Sequence, residues 1–499
     1  MLSRLGWLLP VTMAGVAYYP IVQNYFNSDD FLHFWHLENY GVVRFALRMH
    51  GGHTVITRNL TIAGLHAAFG MNAASYFWFA LLVHLLNVFL LYQVVRLLTG
   101  SRGAAAISAG LWGIDPASEG SLGWMSVHGH VLAGSFALLV LLGIARRRAG
   151  AAMGTATPWL WGLGMLACAT SFGIGVGVAL LMPAIAWLLL PAGQRRYAAI
   201  VLALAALLVV GGYFGQARLY EHLYGEVPNA GSMGMALANA RAQVGFVLAM
   251  AGYGALSLLL GVFLAPAHFP GLVGAIALCG VMFLLGIAAG RSPARTVRPL
   301  LACAVLALGV YGLIAAGRGP LVGAGNFGVM VRATRYHYVG PIAAAVALGV
   351  VAGELATAWS LPVWLKRAAL GGWAAATLAL ALLYGAPISH FPIAREETYE
   401  ALAAIESVAA AAPPGMDIFI VNRPFHGVGL MVATHMAEFP GWAAVYAMFH
   451  KGDTLDGHRV RFVIEDPEVL HQARQGRRAE GLLWGWPDNT SDGNGPDDG

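Results

Sequence analysis

Long apolar runs, separated by short polar segments, dominate the pattern along this chain. A helix needs about 20 apolar residues to cross the hydrocarbon core of a membrane. Backbone groups in lipid must satisfy their own hydrogen bonds, so runs without strand-like alternation favour helices. The pattern predicts an all-α polytopic membrane bundle of about 11–13 transmembrane helices, with candidate spans at 5–23, 75–98, 103–118, 128–145, 158–173, 175–190, 197–216, 242–265, 271–290, 299–317, 337–358 and 368–387.

Composition supports the same interpretation. Of the 499 residues, 58% are hydrophobic and 11% are charged, whereas soluble domains carry roughly 25% charged residues. The 64 glycines are typical of membrane helices that approach one another closely. The three cysteines all lie inside apolar runs, so neither a disulfide framework nor a thiolate metal site is predicted.

The net charge of +5 comes from short basic clusters between the apolar runs. Such clusters are typical of cytoplasmic loops, so no nucleic-acid partner is predicted. With an uncleaved first span and the N-terminus inside, loop 24–74 lies outside. The stretch 242–265 is either one full crossing or else a re-entrant segment or hairpin. The charge bias favours the second alternative, which places 318–336 and the C-terminus outside.

The composition changes after residue 388. The run 395–412 has the pattern of an amphipathic helix, and 416–422 and 459–466 have the pattern of strands. We therefore expect a transmembrane domain over 1–388, a small soluble α/β appendage over 389–486 and a disordered acidic tail over 487–499.

Loop 24–74 carries an adjacent acidic pair, Asp29 and Asp30, in a chain that has few acids. Ser28 can cap a helix from Asp29 that Gly51-Gly52 would end. Along that helix, one face would carry an apolar series for the headgroup region: Phe31, Trp35, Val42, Phe45 and Met49. A second helix is expected over about 54–69. The acids either complement the dipole of the helix or provide a general base for a lipid-bound substrate.

Polar residues inside apolar runs are further candidates, because ionisable groups at membrane depth are costly. In "LLVHLLNVFLL", His84 and Asn87 share one helical face, where interhelical hydrogen bonding and substrate contact are both open interpretations. The run "DPASEGSLGWMSVHGH" carries several more: Asp115, Glu119, His128 and His130. Trp112 and Trp124 are expected to be interface anchors.

The segment "VRATRYHYVGP", residues 331–341, places Arg332, Arg335 and Tyr336 at the outer end of a span. The arginines either snorkel beside an aromatic belt or bind a phosphate with their planar fork of donors. A positive group is unexpected on the outer side, which favours the phosphate.

An acidic pair after the first span, His84 with Asn87, the run from Asp115 to Trp124 and the later "RYHYVGP" together resemble membrane glycosyltransferases of the GT-C fold. Within that fold the chain is most similar to the bacterial protein O-mannosyltransferase and polyprenyl-phosphate-sugar transferase group. The similarity covers about residues 20–190 and 330–345. It departs from the group at "SVHGH" and "TSFGIG", and in having no tetratricopeptide array.

The resemblance implies a multi-pass enzyme of the bacterial inner membrane whose active site and appendage face the periplasm. A sugar would pass, with inversion, from a polyprenyl phosphate to a hydroxyl of a protein, glycan or lipid, and Asp29 or Asp30 would be the base. The expected donor and phosphate ligands are Arg335, Arg332, Tyr336, His128, His130, Arg58 and His53. The residues expected to have a structural or substrate-lining role are His84, Asn87, Asp115, Glu119 and Trp124.

No protein metal site is predicted, although a divalent cation stays open as a cofactor. Two other classes of function also stay open: a transporter or flippase of lipid-linked glycans, and a non-catalytic membrane scaffold. A transporter would show paired broken helices in internal repeats, which the sequence does not display convincingly.

Overall fold

A computed structural model of the chain describes five main stretches: 6–26, 29–225, 240–260, 293–318 and 330–358. Shorter described stretches are 371–372, 375, 410–411, 413, 417–420, 454–455, 458–462 and 481–484.

The described residues are nearly all helical. Their helices are α1 (Leu8–Tyr18), α2 (Asp29–Leu47), α3 (Ile56–Phe69), α4 (Ala73–Thr99), α5 (Arg102–Gly113), α6 (Glu119–Leu122), α7 (Gly129–Arg148), α8 (Thr157–Ser171), α9 (Ile174–Leu189), α10 (Ala192–Tyr224), α11 (Ala240–Leu260), α12 (Pro293–Arg318) and α13 (Gly340–Ala358). Short 3₁₀ helices cover Tyr19–Gln23, Pro116–Ser118, Met125–Val127 and Thr334–Tyr336.

Among the described residues, four helices are long and apolar enough to cross a membrane: Ala73–Thr99, Met125–Arg148, Ala192–Tyr224 and Arg295–Arg318. Four shorter apolar helices accompany them, at Leu8–Gln23, Ile174–Leu189, Gln243–Leu259 and Gly340–Leu355. These helices overlap the predicted spans, which agrees with a multi-pass membrane protein. The predicted span 271–290 lies outside the described residues, as does nearly all of 368–387.

The chain divides into two compact units. One comprises Met1–Asn24 and Ala46–His390, and the other comprises Tyr25–Phe45 and Phe391–Gly499. Close helix packing in the first unit depends on glycine. A Cβ on Gly177 of α9 would lie 1.9 Å from the carbonyl oxygen of Gly309 in α12, so the two backbones touch where small residues meet.

Three sequence predictions are wrong in detail. First, the predicted span 103–118 is the 12-residue helix α5, which rises only about 18 Å and ends before Asp115. Second, 240–260 is one continuous helix of 21 residues rather than a hairpin.

The third error concerns α2, which ends at Leu47 and is interrupted at Gly41, where φ is 76°. The break separates the residues of the predicted apolar face, since Val42 is 50% exposed and Phe45 is 1% exposed. The proposed cap, Ser28, lies outside the described residues.

A small sheet is described in the second unit. Its strands are β1 (Asp417–Ile420), β2 (Thr454–Leu455), β3 (His458–Phe462) and β4 (Gly481–Trp484), in the order β2-β3-β1-β4. Strand β1 runs parallel to β3 and β4, and β2 pairs antiparallel with β3. Strands β1 and β3 overlap the two predicted strand segments. Nearly all of the helix predicted at 395–412 lies outside the described residues, and the soluble α/β domain and its tail stay predictions.

Candidate functional site

His84 and Asn87 form hydrogen bonds between helices. Nε2 of His84 lies 2.9 Å from the carbonyl of Gly113, which can only accept, so Nε2 carries a proton and donates it. Nδ1 of the neutral ring is then an acceptor: the Tyr338 hydroxyl donates to it at 2.9 Å and accepts from the Asn87 amide at 3.0 Å. The network ties α4 and the end of α5 to the segment before α13.

Trp112 belongs to this network rather than to a membrane interface. Its side chain is fully buried, its ring centroid is 5.3 Å from that of His84, and its indole donates to the carbonyl of Tyr338. The prediction of an interface anchor is wrong for Trp112, because neighbouring helices enclose the ring.

Removing the Tyr338 hydroxyl is expected to destabilise the protein. Tyr338→Phe leaves the buried Nδ1 of His84 without its donor, which costs about 1–3 kcal/mol. Thermal unfolding of the purified protein in detergent measures this change. The matched variant Tyr19→Phe alters a ring that is 51% exposed and should change stability by less than about 0.5 kcal/mol. Equal unfolding temperatures for the two variants would contradict the network.

Asp115 and Glu119 are buried between α5 and α7, with Asp115 just before the 3₁₀ helix Pro116–Ser118 and Glu119 at the start of α6. The Asp115 carboxylate accepts from the backbone N–H of Ala117 and from the hydroxyl of Ser257 on α11. Its carbonyl accepts from the Tyr18 hydroxyl of α1. These contacts give Asp115 a structural role, because they tie the segment after α5 to α1 and α11.

His128 and His130 are 1% and 0% exposed at the start of α7. Neither ring nitrogen of either residue has a hydrogen-bond partner within the described part of the chain. Buried polar groups are normally hydrogen-bonded, so such exceptions need an explanation. The rings diverge: His128 lies 5.6 Å from the ring of Phe79, whereas His130 lies 4.1 Å from that of Phe172.

His53 is presented by a tight turn, His50-Gly51-Gly52-His53. Both glycines have positive φ, 55° and 77°, as a type I′ turn requires, and the two histidines exchange backbone hydrogen bonds. The hydroxyl of Tyr213 on α10 donates to the Gly52 carbonyl at 2.7 Å. The glycines predicted to end a helix therefore orient His53 instead.

The His53 ring is neutral at physiological pH. Burial, followed by the nearby guanidinium of Arg318, lowers the pKa of His53 to about 3. Arg318 Nη2 lies 3.5 Å from Nε2 of His53. Because guanidinium nitrogens only donate, Nε2 is the acceptor and Nδ1 carries the proton.

Arg335 lies in the 3₁₀ helix before α13. Its guanidinium carbon is 5.9 Å from the centroid of the Trp124 ring and 5.1 Å from that of Tyr336. The Ser121 hydroxyl donates to the Arg335 carbonyl at 3.0 Å, which fixes the backbone against α6. Arg332 is exposed, whereas Arg335 is partly buried.

Four of these residues, His53, His130, Arg318 and Arg335, form what we call the cationic cluster. His53 and His130 flank the Phe172 ring, at 4.9 and 4.1 Å between ring centroids. His130 lies within electrostatic range of the His53 and His337 rings and of the Arg335 and Arg318 guanidiniums. Together, two guanidiniums and the His130 imidazole, which has no hydrogen-bond partner in the described part of the chain, provide N–H donors and positive charge for an anion.

Gly173 is required for the position of His53 in the cationic cluster. A Cβ there would lie 2.2 Å from Nδ1 of His53, so Gly173→Ala must displace that ring, at a cost of about 1–3 kcal/mol. The matched variant Gly64→Ala adds a methyl group with no atom within 4 Å. Thermal unfolding should show destabilisation in the first variant alone, and equal effects would contradict the described packing.

Arg58, another predicted phosphate ligand, is fully buried. Its guanidinium donates to the carbonyl of Ser126 at 2.6 Å and to the side-chain oxygen of Asn59. It therefore anchors α3 to the segment that precedes His128.

The acidic pair opens α2, in the second unit. Asp30 is 2% exposed, whereas the side chain of Asp29 is not among those described. In the same unit, the buried rings of Phe26 and Phe34 lie 4.7 Å apart. If Asp30 only complemented the dipole of α2, its carboxylate would be expected to be exposed to solvent. Its burial differs from that expectation.

No group of three or more potential metal ligands of the His, Cys, Asp or Glu type occurs among the described residues. No known family model matches the sequence, and neither does any curated protein.

Two solved structures from Archaeoglobus fulgidus are similar to the chain. One is the oligosaccharyltransferase tethered to an acceptor peptide containing an NVT sequon: it is 15% identical, with a TM-score of 0.47 over 93% of this chain and 64% of that one. The other is the oligosaccharyltransferase AglB with an inhibitory peptide and a dolichol-phosphate: it is 13% identical, with a TM-score of 0.45 over 92% and 64%. The chain thus spans under two thirds of their length. Likeness at this level transfers neither activity nor residue roles.

Proposed function

We propose that the chain is a membrane glycosyltransferase that moves a sugar from a polyprenyl-phosphate-linked donor to a hydroxyl of a protein, glycan or lipid. The observation that carries this proposal is the cationic cluster, in which His130 has no hydrogen-bond partner among the described residues. A phosphate would accept hydrogen bonds from the donors that the cluster provides.

The position of the cluster supports an amphiphilic ligand. His130 lies at the start of α7, Phe172 just after the end of α8, Arg318 at the end of α12 and Arg335 just before α13. Since α7 and α12 contain candidate membrane spans, the cluster lies at helix ends. A lipid phosphate bound there would keep its charged group at the membrane boundary and its tail in the hydrocarbon.

The proposed reaction uses positive charge where negative charge develops. The acceptor oxygen forms a bond to C1 of the sugar as the bond from C1 to the phosphate oxygen breaks, and the hydroxyl proton passes to an aspartate. The lipid phosphate changes from a diester with one negative charge to a monoester with two. Arg335 and His130 would stabilise the added charge.

The aspartate base is Asp30 in this proposal. Its burial supports a chemical role, because a carboxylate that only complements a helix dipole gains nothing from being enclosed. The active side is proposed to face the outside of the membrane, as the basic clusters of the sequence predict, and the periplasm of a bacterial inner membrane is what the resemblance implies.

Transfer can be tested with the full chain in proteoliposomes. Labelled polyprenyl-phosphate hexoses and pentoses are supplied with glycan, lipid and protein fractions, and both label transfer and release of free polyprenyl phosphate are measured. We expect label transfer and release of free polyprenyl phosphate with at least one donor. Movement of the donor between leaflets without any sugar transfer would establish a transporter instead. If neither sugar transfer nor donor movement occurred, the scaffold hypothesis would be the one that remains.

A further inference from the structure

Arg318 was not anticipated from the sequence as part of a site. It is the last residue of α12 and is partly buried. Its Nη2 atom lies 3.5 Å from Nε2 of His53 and 3.5 Å from the position that a Cβ on Gly51 would occupy. The guanidinium therefore packs against the turn that presents His53.

Two simpler roles for Arg318 explain less of this geometry. A basic residue in the last turn of a helix complements the dipole for roughly 0.3–1 kcal/mol, but this does not require contact with another cationic group. A structural ion pair would need a carboxylate, whereas among the described residues the polar partner of Arg318 is the His53 ring. A hydrogen bond to a neutral imidazole holds the guanidinium in place but does not neutralise its positive charge.

We propose that Arg318 is the second guanidinium of the phosphate site, and that His53 is the residue that positions it. This inference rests on the proposed function. Arg318 contacts the His53 ring, and Arg335 lies over the Tyr336 ring, whose centroid is 6.3 Å from that of His130, so the cluster holds two fixed positive charges. Two charges match the dianionic lipid phosphate that leaves in the reaction better than the monoanionic donor, and Arg318 would therefore bind the leaving group most strongly.

Binding of polyprenyl phosphate to the full chain in nanodiscs tests this role without requiring turnover. We expect Arg318→Gln to weaken binding by about 10- to 100-fold, since charged hydrogen bonds are lost. Arg318→Lys, which keeps the charge but not the planar fork, should show a smaller loss. The matched control Arg196→Gln, at an exposed arginine, should bind as the wild type does.

The outcomes separate this inference from the proposed function. Wild-type protein that binds polyprenyl phosphate no better than neutral polyprenol would overturn both. Wild-type preference for the phosphate, with equal affinity in Arg318→Gln, would overturn only the role of Arg318.

A measurement on the wild-type protein covers the case in which Arg318→Gln does not fold. Phenylglyoxal modifies arginine side chains, and mass spectrometry quantifies its adduct at Arg318. Polyprenyl phosphate should protect Arg318 from modification, whereas polyprenol should not. Equal modification with and without polyprenyl phosphate would show that Arg318 does not contact the ligand.

Discussion

Asp30→Asn is expected to lower sugar transfer by about 10²- to 10⁴-fold, the contribution typical of a general base. Asparagine keeps the size of the side chain but cannot accept the hydroxyl proton of the acceptor. Polyprenyl phosphate binding should persist, since the cationic cluster is unchanged. Initial rates of label transfer at saturating donor measure the loss.

Two parallel variants make the Asp30 result specific. Glu38→Gln changes an exposed acid of the same helix and should leave the rate within about twofold of wild type. Asp29→Asn separates the two neighbouring acids. Full activity in Asp30→Asn, with loss in Asp29→Asn, would assign the base to Asp29 and contradict the interpretation of Asp30 burial.

Arg335→Gln is expected to lower transfer by about 10²- to 10³-fold, as removal of one preorganised donor does in other enzymes. The Arg335 guanidinium would stabilise charge that appears on the phosphate as the bond to C1 breaks. The loss should appear in kcat as well as in donor affinity, because the phosphate carries more negative charge in the transition state than in the bound donor.

A control is needed because Arg335 packs beside Trp124 and Tyr336. Unfolding temperature reports any loss of packing in Arg335→Gln. Arg102→Gln, at an exposed arginine of α5, should retain wild-type transfer. If Arg335→Gln transferred sugar at the wild-type rate, the phosphate would have to bind elsewhere.

Much of the helical framework was predictable because hydropathy alone determines where a helix can lie in lipid. The helix expected at about 54–69 is Ile56–Phe69, and the span expected at 75–98 is Ala73–Thr99. The interhelical interpretation of His84 was also accessible, since buried polar groups in membrane helices need partners.

The cationic cluster was only partly predictable. His53, His130 and Arg335 could be selected from the sequence because their residue types suit a phosphate site. Arg318 of the cluster and the neighbouring Phe172 ring could not, because no motif marks either residue. Their convergence depends on which helix ends meet, which local periodicity does not encode. The sequence "SFG" could have indicated a close approach of another side chain, because Gly173 admits the His53 ring where any Cβ would exclude it.

Local patterns also failed where tertiary packing decides the outcome. A continuous apolar face was expected along α2, but Gly41 adopts a positive φ and divides it. Trp112 looked like an interface residue in the sequence, yet it is enclosed by the His84 and Tyr338 rings.

A structure of the full chain with polyprenyl phosphate bound, determined in nanodiscs, tests most directly whether cationic side chains at the helix ends hold a lipid's phosphate. We expect phosphate density within hydrogen-bonding distance of the Arg335 guanidinium and the His130 ring, with the isoprenoid chain leading into lipid. Phosphate density away from both side chains, in a structure whose surrounding helices are unchanged, would contradict binding of the phosphate by the cationic cluster.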